Sequence, residues 1–378
     1  MQKILFVVSE DWYFVSHRLY LAKLAVEHGY KVSLLTNISV HQDLIEHHGI
    51  TIIPWSLSRR SINPLSELRS IFQVIFTIIR VKPSLIHAVA LKPILYGAIA
   101  AKITHLQSRV FAFAGLGFVF TRNTFFIKLL RIPFSLTMRA LLKNKSSTVI
   151  LQNPDDQKTL LDLKIISENQ IHLIRGAGVD IKYFSPSDNL PQLDRPIVML
   201  PARLLWDKGV GDFVEAAKIL RLQGCLARFI LVGDADAHNP AHIPDSQIIE
   251  WKESGVVECW GYQKNMPDLF NQAALVCLPS YREGLPKALL EAASCAKAII
   301  ATDVPGCREV VLEGVNGILV PPQSPEKLAT AINILLKDPD LARKMGEEGL
   351  TMVRKNFSQE IIANQILTLW HSVLHSTE

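Results

Sequence analysis

The segment YREGLPKALLEA (281–292) holds two carboxylates, Glu283 and Glu291, with seven residues between them. Paired carboxylates are the equipment of glycoside hydrolysis, one acting as acid and the other as base or nucleophile. The residues between them point elsewhere. Gly284 and Pro286 predict a helix that starts near 286, because proline suits a first helical turn. Glu283 then belongs to the loop and Glu291 to the second turn. A helix start presents unsatisfied amides and the positive end of the helix dipole, which suits an anion. A ligand carrying both hydroxyls and phosphates would match this set. The plainer alternative is that Glu283 only caps the helix and Glu291 pairs with Lys287. A second segment, ARLLWDKG (202–209), sets Arg203 and Lys208 around a turn before another helix. Arginine offers a planar fork and lysine a point charge, a pair suited to phosphoryl oxygens. The alternative there is a surface ion pair with Asp207 or Asp212. Two cations and a helix start at one sheet edge favour the diphosphate reading.

Those residues need a scaffold, and the chain supplies one. Short apolar runs alternate with helical patterns: KILFVV (3–8), KVSLLT (31–36), TIIPW (51–55), SLIHAV (84–89), RVFAFA (109–114) and TVILQ (148–152) in the first half. PIVMLPA (196–202), RFILVG (228–233), VVECWG (256–261), ALVCLPS (274–280), KAIIATD (297–303) and GILV (317–320) follow in the second. Continuous apolar strands separated by helices imply parallel sheets buried on both faces. The reading is therefore α/β, two Rossmann-like doubly wound domains facing a central cleft. The first would cover 1–185 and the second 186–357, joined by the Gly-, Pro- and Asp-rich stretch 175–196. The last helix, about 358–378, would cross back to cap the first domain. In such sheets ligands bind beyond the carboxyl ends of the strands, where both segments above fall.

Composition agrees with two cored domains: 378 residues, 49% hydrophobic and 20% charged. The five cysteines are unclustered, which predicts reduced thiols, a cytoplasmic protein and no zinc site. The apolar run at the N-terminus is short and followed by acids, so it reads as a strand, not a leader. No stretch approaches a membrane span. The net charge of +5 hides a split. Residues 1–185 carry 22 Lys+Arg against 11 Asp+Glu, and 186–378 carry 18 against 24. No acid occurs between Glu67 and Asp155, an interval with twelve basic residues, which suggests an anionic partner. Within it, RNTFFIKLLRIPFSLTMRALLKNK (122–145) has six cations among Phe, Leu and Ile. That is the composition of a helix pair on an anionic membrane surface, against the plainer reading of a buried helix with solvated lysines.

The order ARLLWDKG, LVGD (231–234), WGY (260–262), LPSYREGLPKALLEAASCAKAIIATDVPGCREVV and GVNGILVPP resembles the family 4 glycosyltransferases. The junction GVDIKYFSP (178–186) is similar to that family's interdomain segment. The resemblance implies the GT-B fold and a retaining, metal-independent transfer from a nucleotide-sugar, with UDP as the expected nucleotide. Glu283 would then hold the transferring sugar and Glu291 the ribose. Arg203 and Lys208 would neutralise the leaving diphosphate, helped by the amides of Gly284 and Leu285. Gly233, Gly261 and Tyr262 would seat the base. FVSHRLYLAKLAVEHGYKVSLLT (14–36), IHAVALKPILYGAIAAK (86–102) and FAGLGFVF (113–120) are similar to a bacterial subgroup acting on undecaprenyl-diphosphate-linked glycans. That implies a polyprenyl-diphosphate-linked acceptor in capsule, O-antigen or glycan assembly, and a peripheral position on the inner face of the plasma membrane.

In the first half, His17 lies where the loop after the first strand enters a helix and would orient the acceptor or donate to the sugar. His87 and Lys92 would hold phosphate, although His87 alone also reads as a core histidine. Gly115 and Gly117 would allow close backbone approach at the cleft floor. SEDWYFVSH (9–17) departs from the Gly-Gly loop common in the family. Asp234-Ala235-Asp236 has the spacing of a metal-binding pair, but the basic groups already fill the phosphate role, so both aspartates read as turn residues. No cofactor is implied, and a monomer or weak dimer is expected. Two rival functions fit the same sequence: a GT-B nucleotide-sugar epimerase and a non-enzymatic anion- or nucleic-acid-binding protein. Nucleic acid ranks last, because the basic stretch has no aromatic platform on a sheet face.

Overall fold

The computed structural model describes residues 1–57, 63–116, 125–144, 146–187, 194–237 and 239–375, without the side chains of 125–130. The chain divides into two compact units. One is Met1–Ala177 with Gln359–Glu378, and the other is Gly178–Ser358. The break falls earlier than the 185/186 boundary expected from composition. The reason is local: the segment after Gly178 is bonded into the second unit. Val179 N donates to Phe357 O at 2.9 Å, and Ser294 Oγ donates to Phe184 O at 2.5 Å.

The first unit is built on a seven-stranded parallel sheet: β1 (Lys3–Glu10), β2 (Lys31–Asn37), β3 (Thr51–Pro54), β4 (Leu85–Val89), β5 (Ser108–Ala112), β6 (Ser147–Leu151) and β7 (Ile171–Leu173). Their spatial order is β3-β2-β1-β4-β5-β6-β7. β7 was not anticipated; it is a three-residue edge strand with little buried side chain. Helices cover both faces. Helices Pro64–Val81, Leu91–Ile103 and Phe125–Leu142 share one apolar core with the sheet. Helices Leu19–Glu27 and Gln359–His375 close the other, where Trp370 is fully buried. The chain's last helix is thus an element of the first unit.

The second unit carries a six-stranded parallel sheet: β8 (Ile197–Pro201), β9 (Arg228–Val232), β10 (Glu258–Gly261), β11 (Leu275–Leu278), β12 (Ala298–Thr302) and β13 (Gly317–Val320). The order is β10-β9-β8-β11-β12-β13. In both units the chain reverses its direction of travel across the sheet between two central strands, β1/β4 and β8/β11. Crevices form at such switch points, beyond the strands' carboxyl ends. β8 and β11 are buried throughout, as their unbroken apolar sequences require.

Candidate donor site at the second switch point

Two loops leave the β8/β11 crevice. The first, Ala202–Gly209, is tied to the loop after β9. Leu204 N donates to Asp234 O at 2.9 Å, and Trp206 N to Ala241 O at 2.8 Å. It closes with a short 3-10 turn, Trp206–Lys208, ended by Gly209 at φ +68°. A Cβ at Gly209 would lie 2.0 Å from the carbonyl oxygen of Pro279, so only glycine lets this turn touch the β11 exit. The second loop, Pro279–Pro286, is fastened to the first. Tyr281 N donates to Asp207 O at 2.9 Å, and the Tyr281 hydroxyl donates to Asp212 Oδ1 at 3.1 Å. Burial, then the neighbouring Asp212, pushes the Tyr281 phenol up to about 12, so it stays a donor.

The turn and loop bring Lys208 and Glu283 together. Lys208 Nζ donates to Glu283 Oε1 at 2.5 Å, with the side chains 23% and 10% exposed. Helix Lys287–Ser294 begins after Pro286, and no side chain caps it. Glu283 is therefore not the helix cap; it engages the lysine that the other loop presents. Glu291 stands in the second turn, paired with Lys287 at 3.4 Å, so this part of the plainer reading is present. Burial raises the Glu291 carboxyl above its ordinary range, and Lys287 opposes that shift. Arg203 reaches the other way, its Nη1 donating to Asp236 Oδ2 at 2.8 Å. The surface pairs considered for these cations, with Asp207 or Asp212, are replaced by Glu283 and Asp236.

Of the two glycines expected to seat a base, Gly233 is a close-packed turn. Gly233 has φ +141°, and a Cβ there would meet Ala202 O at 2.2 Å. Its amide donates to Gly261 O at 2.9 Å. Tyr262, 68% exposed, donates its backbone N–H to Asp234 Oδ1 at 2.9 Å. Asp234 and Asp236, read as turn residues from sequence, therefore do more. One joins the exits of β9 and β10, and the other holds Arg203. Gly306 was also missed. A Cβ on it would lie 2.6 Å from both Glu283 O and Gly284 O, so the loop bearing Glu283 rests on this glycine. Beside it, the buried Thr302 hydroxyl donates to Ser280 O. The sequence clue was VPG directly after a strand, at the same sheet edge. The backbone of Leu285 follows Gly284, and its side chain packs against the second unit's core.

The first unit gathers its expected residues around β1/β4, with corrections. His17 does not start a helix; it ends the short helix Asp11–His17, and the next helix runs Leu19–Glu27. Its ring stacks on Tyr13 with centroids 4.2 Å apart. Nδ1 lies 3.3 Å from Tyr13 O, and because a carbonyl only accepts, this contact requires a proton on Nδ1. The segment that departs from Gly-Gly is anchored by Asp11. Burial would raise the Asp11 carboxyl, but hydrogen bonds from Ser39, His41 and Trp12 outweigh it and hold it low. His87 is corrected outright as an acceptor contact. It is fully buried, its Nδ1 accepts from Trp370 Nε1 at 3.0 Å, and Phe6 packs on it. Burial, then Arg18, drives its pKa well below the ordinary value, so it is a neutral core residue. Arg18, 3% exposed and next in sequence to His17, is a buried cation that sequence reading did not single out.

Lys92 lies in the first turn after β4 and pairs with Glu67 at 2.9 Å. The residue that turns the chain there, Ala90, sits at φ 74°, ψ 163°, a conformation that normally belongs to glycine. Such strain persists only where the surroundings impose it, and here it is at the switch-point exit. Gly115 has φ +112°, consistent with a special backbone path; Gly117 lies outside the described residues. Of the basic stretch 122–145, the described part is one helix, Phe125–Leu142, rather than a pair. Among the described residues there is no cluster of three metal-ligating side chains, and no helix is long and apolar enough to cross a membrane.

Two family models match the two halves: "Glycosyl transferase 4-like" over residues 3–153 and "Glycosyl transferases group 1" over 195–338. The chain belongs to these glycosyltransferases. It is 29% identical, over 86% of its length and 87% of the relative's, to the N,N'-diacetylbacillosaminyl-diphospho-undecaprenol alpha-1,3-N-acetylgalactosaminyltransferase of Campylobacter jejuni. It is 22% identical, over 85% of each, to the capsular polysaccharide biosynthesis glycosyltransferase CapM of Staphylococcus aureus. Among solved structures, the sucrose-phosphate synthase of Thermosynechococcus elongatus matches with a TM-score of 0.80 and 22% identity over 100% of both chains. Anabaena HepE in complex with UDP and glucose matches at 0.78 and 21%, covering 98% of this chain and 100% of that one. These likenesses establish the GT-B fold. The chain is a glycosyltransferase.

Proposed function

We propose that this glycosyltransferase moves a hexose or N-acetylhexosamine from a UDP-sugar to an undecaprenyl-diphosphate-linked saccharide, with retention of configuration and without a metal. The observation that carries the proposal is the Lys208–Glu283 pair at the β8/β11 switch point, beside the start of helix Lys287–Ser294. A cation, a carboxylate and helix amides in one place suit a ligand with phosphates on one side and sugar hydroxyls on the other. The acceptor class is supported by the Campylobacter relative, whose name specifies a diphospho-undecaprenol-linked substrate.

In this reading Lys208 and Arg203 exchange their carboxylate partners for the diphosphate. Glu283, released from Lys208, accepts hydroxyls of the transferring sugar, and Glu291 accepts from the ribose. The bond between the sugar's C1 and the β-phosphate oxygen breaks, leaving UDP with the electron pair. The acceptor hydroxyl oxygen bonds C1 from the same face, and its proton passes to the departing phosphate. Negative charge grows on the diphosphate, so prearranged cations and amides there lower the barrier. His17, Lys92 and Gly115 are the proposed acceptor contacts. The helix Phe125–Leu142, within the basic stretch, would hold the enzyme at the inner face of the plasma membrane. Nuclear magnetic resonance of the purified product, formed with and without EDTA, tests the stereochemistry and metal claims. An α-linked product from an α-linked donor in both is expected; inversion, or loss of activity in EDTA restored by a divalent ion, overturns them.

A further inference from the structure

Helix Pro64–Val81 has two apolar faces, and among the described residues only one is buried inside the unit. Val74, Thr77 and Ile78 are buried against the helix Leu91–Ile103 and the sheet. On the opposite side Leu65, Leu68, Phe72, Phe76 and Ile79 are 78%, 51%, 65%, 64% and 57% exposed. At about 100° per residue these five fall within roughly 80° of arc, a stripe about 21 Å long. A soluble helix normally turns charges, not two phenylalanines, to that side. Arg69 and Arg80 lie along one flank of the stripe, and Lys82 stands at its end; all three are exposed. The helix's one acid, Glu67, is paired with Lys92. On the far side of helix Leu91–Ile103, helix Phe125–Leu142 exposes Ile132 and Leu136 beside Arg139.

We propose that the outer face of helix Pro64–Val81 is a membrane-inserting surface whose partner is an anionic lipid bilayer. The occupant follows from charge. A bilayer interface takes an apolar stripe a few ångströms into its acyl boundary while flanking arginines reach phosphate. Cations without competing acids are what that surface rewards. The inference extends the membrane contact proposed for residues 122–145 to a helix not included there, and it is tested without catalysis.

The test measures partition of the purified protein between buffer and sedimenting vesicles, either phosphatidylglycerol-rich or pure phosphatidylcholine. Binding to the anionic vesicles that weakens with salt is expected. Phe72→Ser with Phe76→Ser should lower the partition coefficient at least tenfold with an unchanged circular-dichroism melt, because both side chains are exposed. Arg69→Gln with Arg80→Gln should lower it and flatten its salt dependence. No binding by the parent protein, or equal binding by the phenylalanine variant, overturns the proposal. So does a variant that binds vesicles normally but loses self-association in sedimentation equilibrium, which would make the stripe a contact between two copies. Glycosyl transfer failing while vesicle binding persists would count against the function above and leave this surface standing.

Discussion

Glu283 and Lys208 hold each other, and each is kept in place by a neighbour that does no chemistry. Tyr281 and Asp207 lock the two loops together, and Gly306 supports the backbone of Glu283. Because Glu283 does not cap the helix, Glu283→Gln should lower kcat on the order of 10²-fold while moving the thermal midpoint by no more than about 2 °C. A melting midpoint that collapses would assign it a structural role instead. Asp236 competes with the diphosphate for Arg203, so Asp236→Asn should tighten UDP binding about threefold by calorimetry. That Lys208 and Glu283 lie at one sheet edge was legible because strand exit, turn and helix start coincide in a few residues. Asp234, Asp236 and Gly306 were not. Their partners lie on other loops, tens of residues away, and no local pattern encodes that pairing.

At the scale of elements, the strands were readable because each is a continuous apolar run, and β7 was not because it is short and half solvated. The His17 helix was misread for a related reason: HRLYLAKLAVEHG has an unbroken helical period, yet the backbone breaks at Arg18, φ −133°. Turn glycines separate into two kinds. Gly209 and Gly224 both have positive φ, but only Gly209 has a carbonyl where its Cβ would go. Gly224→Ala should cost about 1 kcal/mol in chemical denaturation, and Gly209→Ala on the order of 3 kcal/mol together with lost donor affinity. Equal losses would show that the contact with Pro279 is slack.

At the scale of the whole chain, the two-unit organisation and the return of the last helix were legible, but the boundary was eight residues late. Composition marks a flexible-looking stretch; it does not reveal that Val179 and Phe184 are bonded into the second unit. The last helix stabilises the first unit through Trp370, which donates to His87 and packs on Phe6. Trp370→Ala should destabilise that unit by about 3–5 kcal/mol, seen as an earlier first transition in calorimetry. His87 is neutral when folded, with a pKa well below 6.5. The unfolded chain therefore binds its proton first as pH falls. Stability should decline below about pH 6.5, and His87→Gln should flatten part of that slope. A variant with the same slope would move the effect to other histidines.

Sugar transfer from a nucleotide donor to a lipid-diphosphate acceptor is the reaction proposed for the Lys208–Glu283 site. The most direct measurement incubates the purified chain with undecaprenyl-diphosphate-linked saccharide and a panel of UDP-sugars, following the acceptor by mass. The expected product is an acceptor heavier by one hexose or N-acetylhexosamine with at least one donor, and at least about a hundredfold less of it with Glu283→Gln. No mass gain with any sugar nucleotide, or equal gain from the variant, would contradict it.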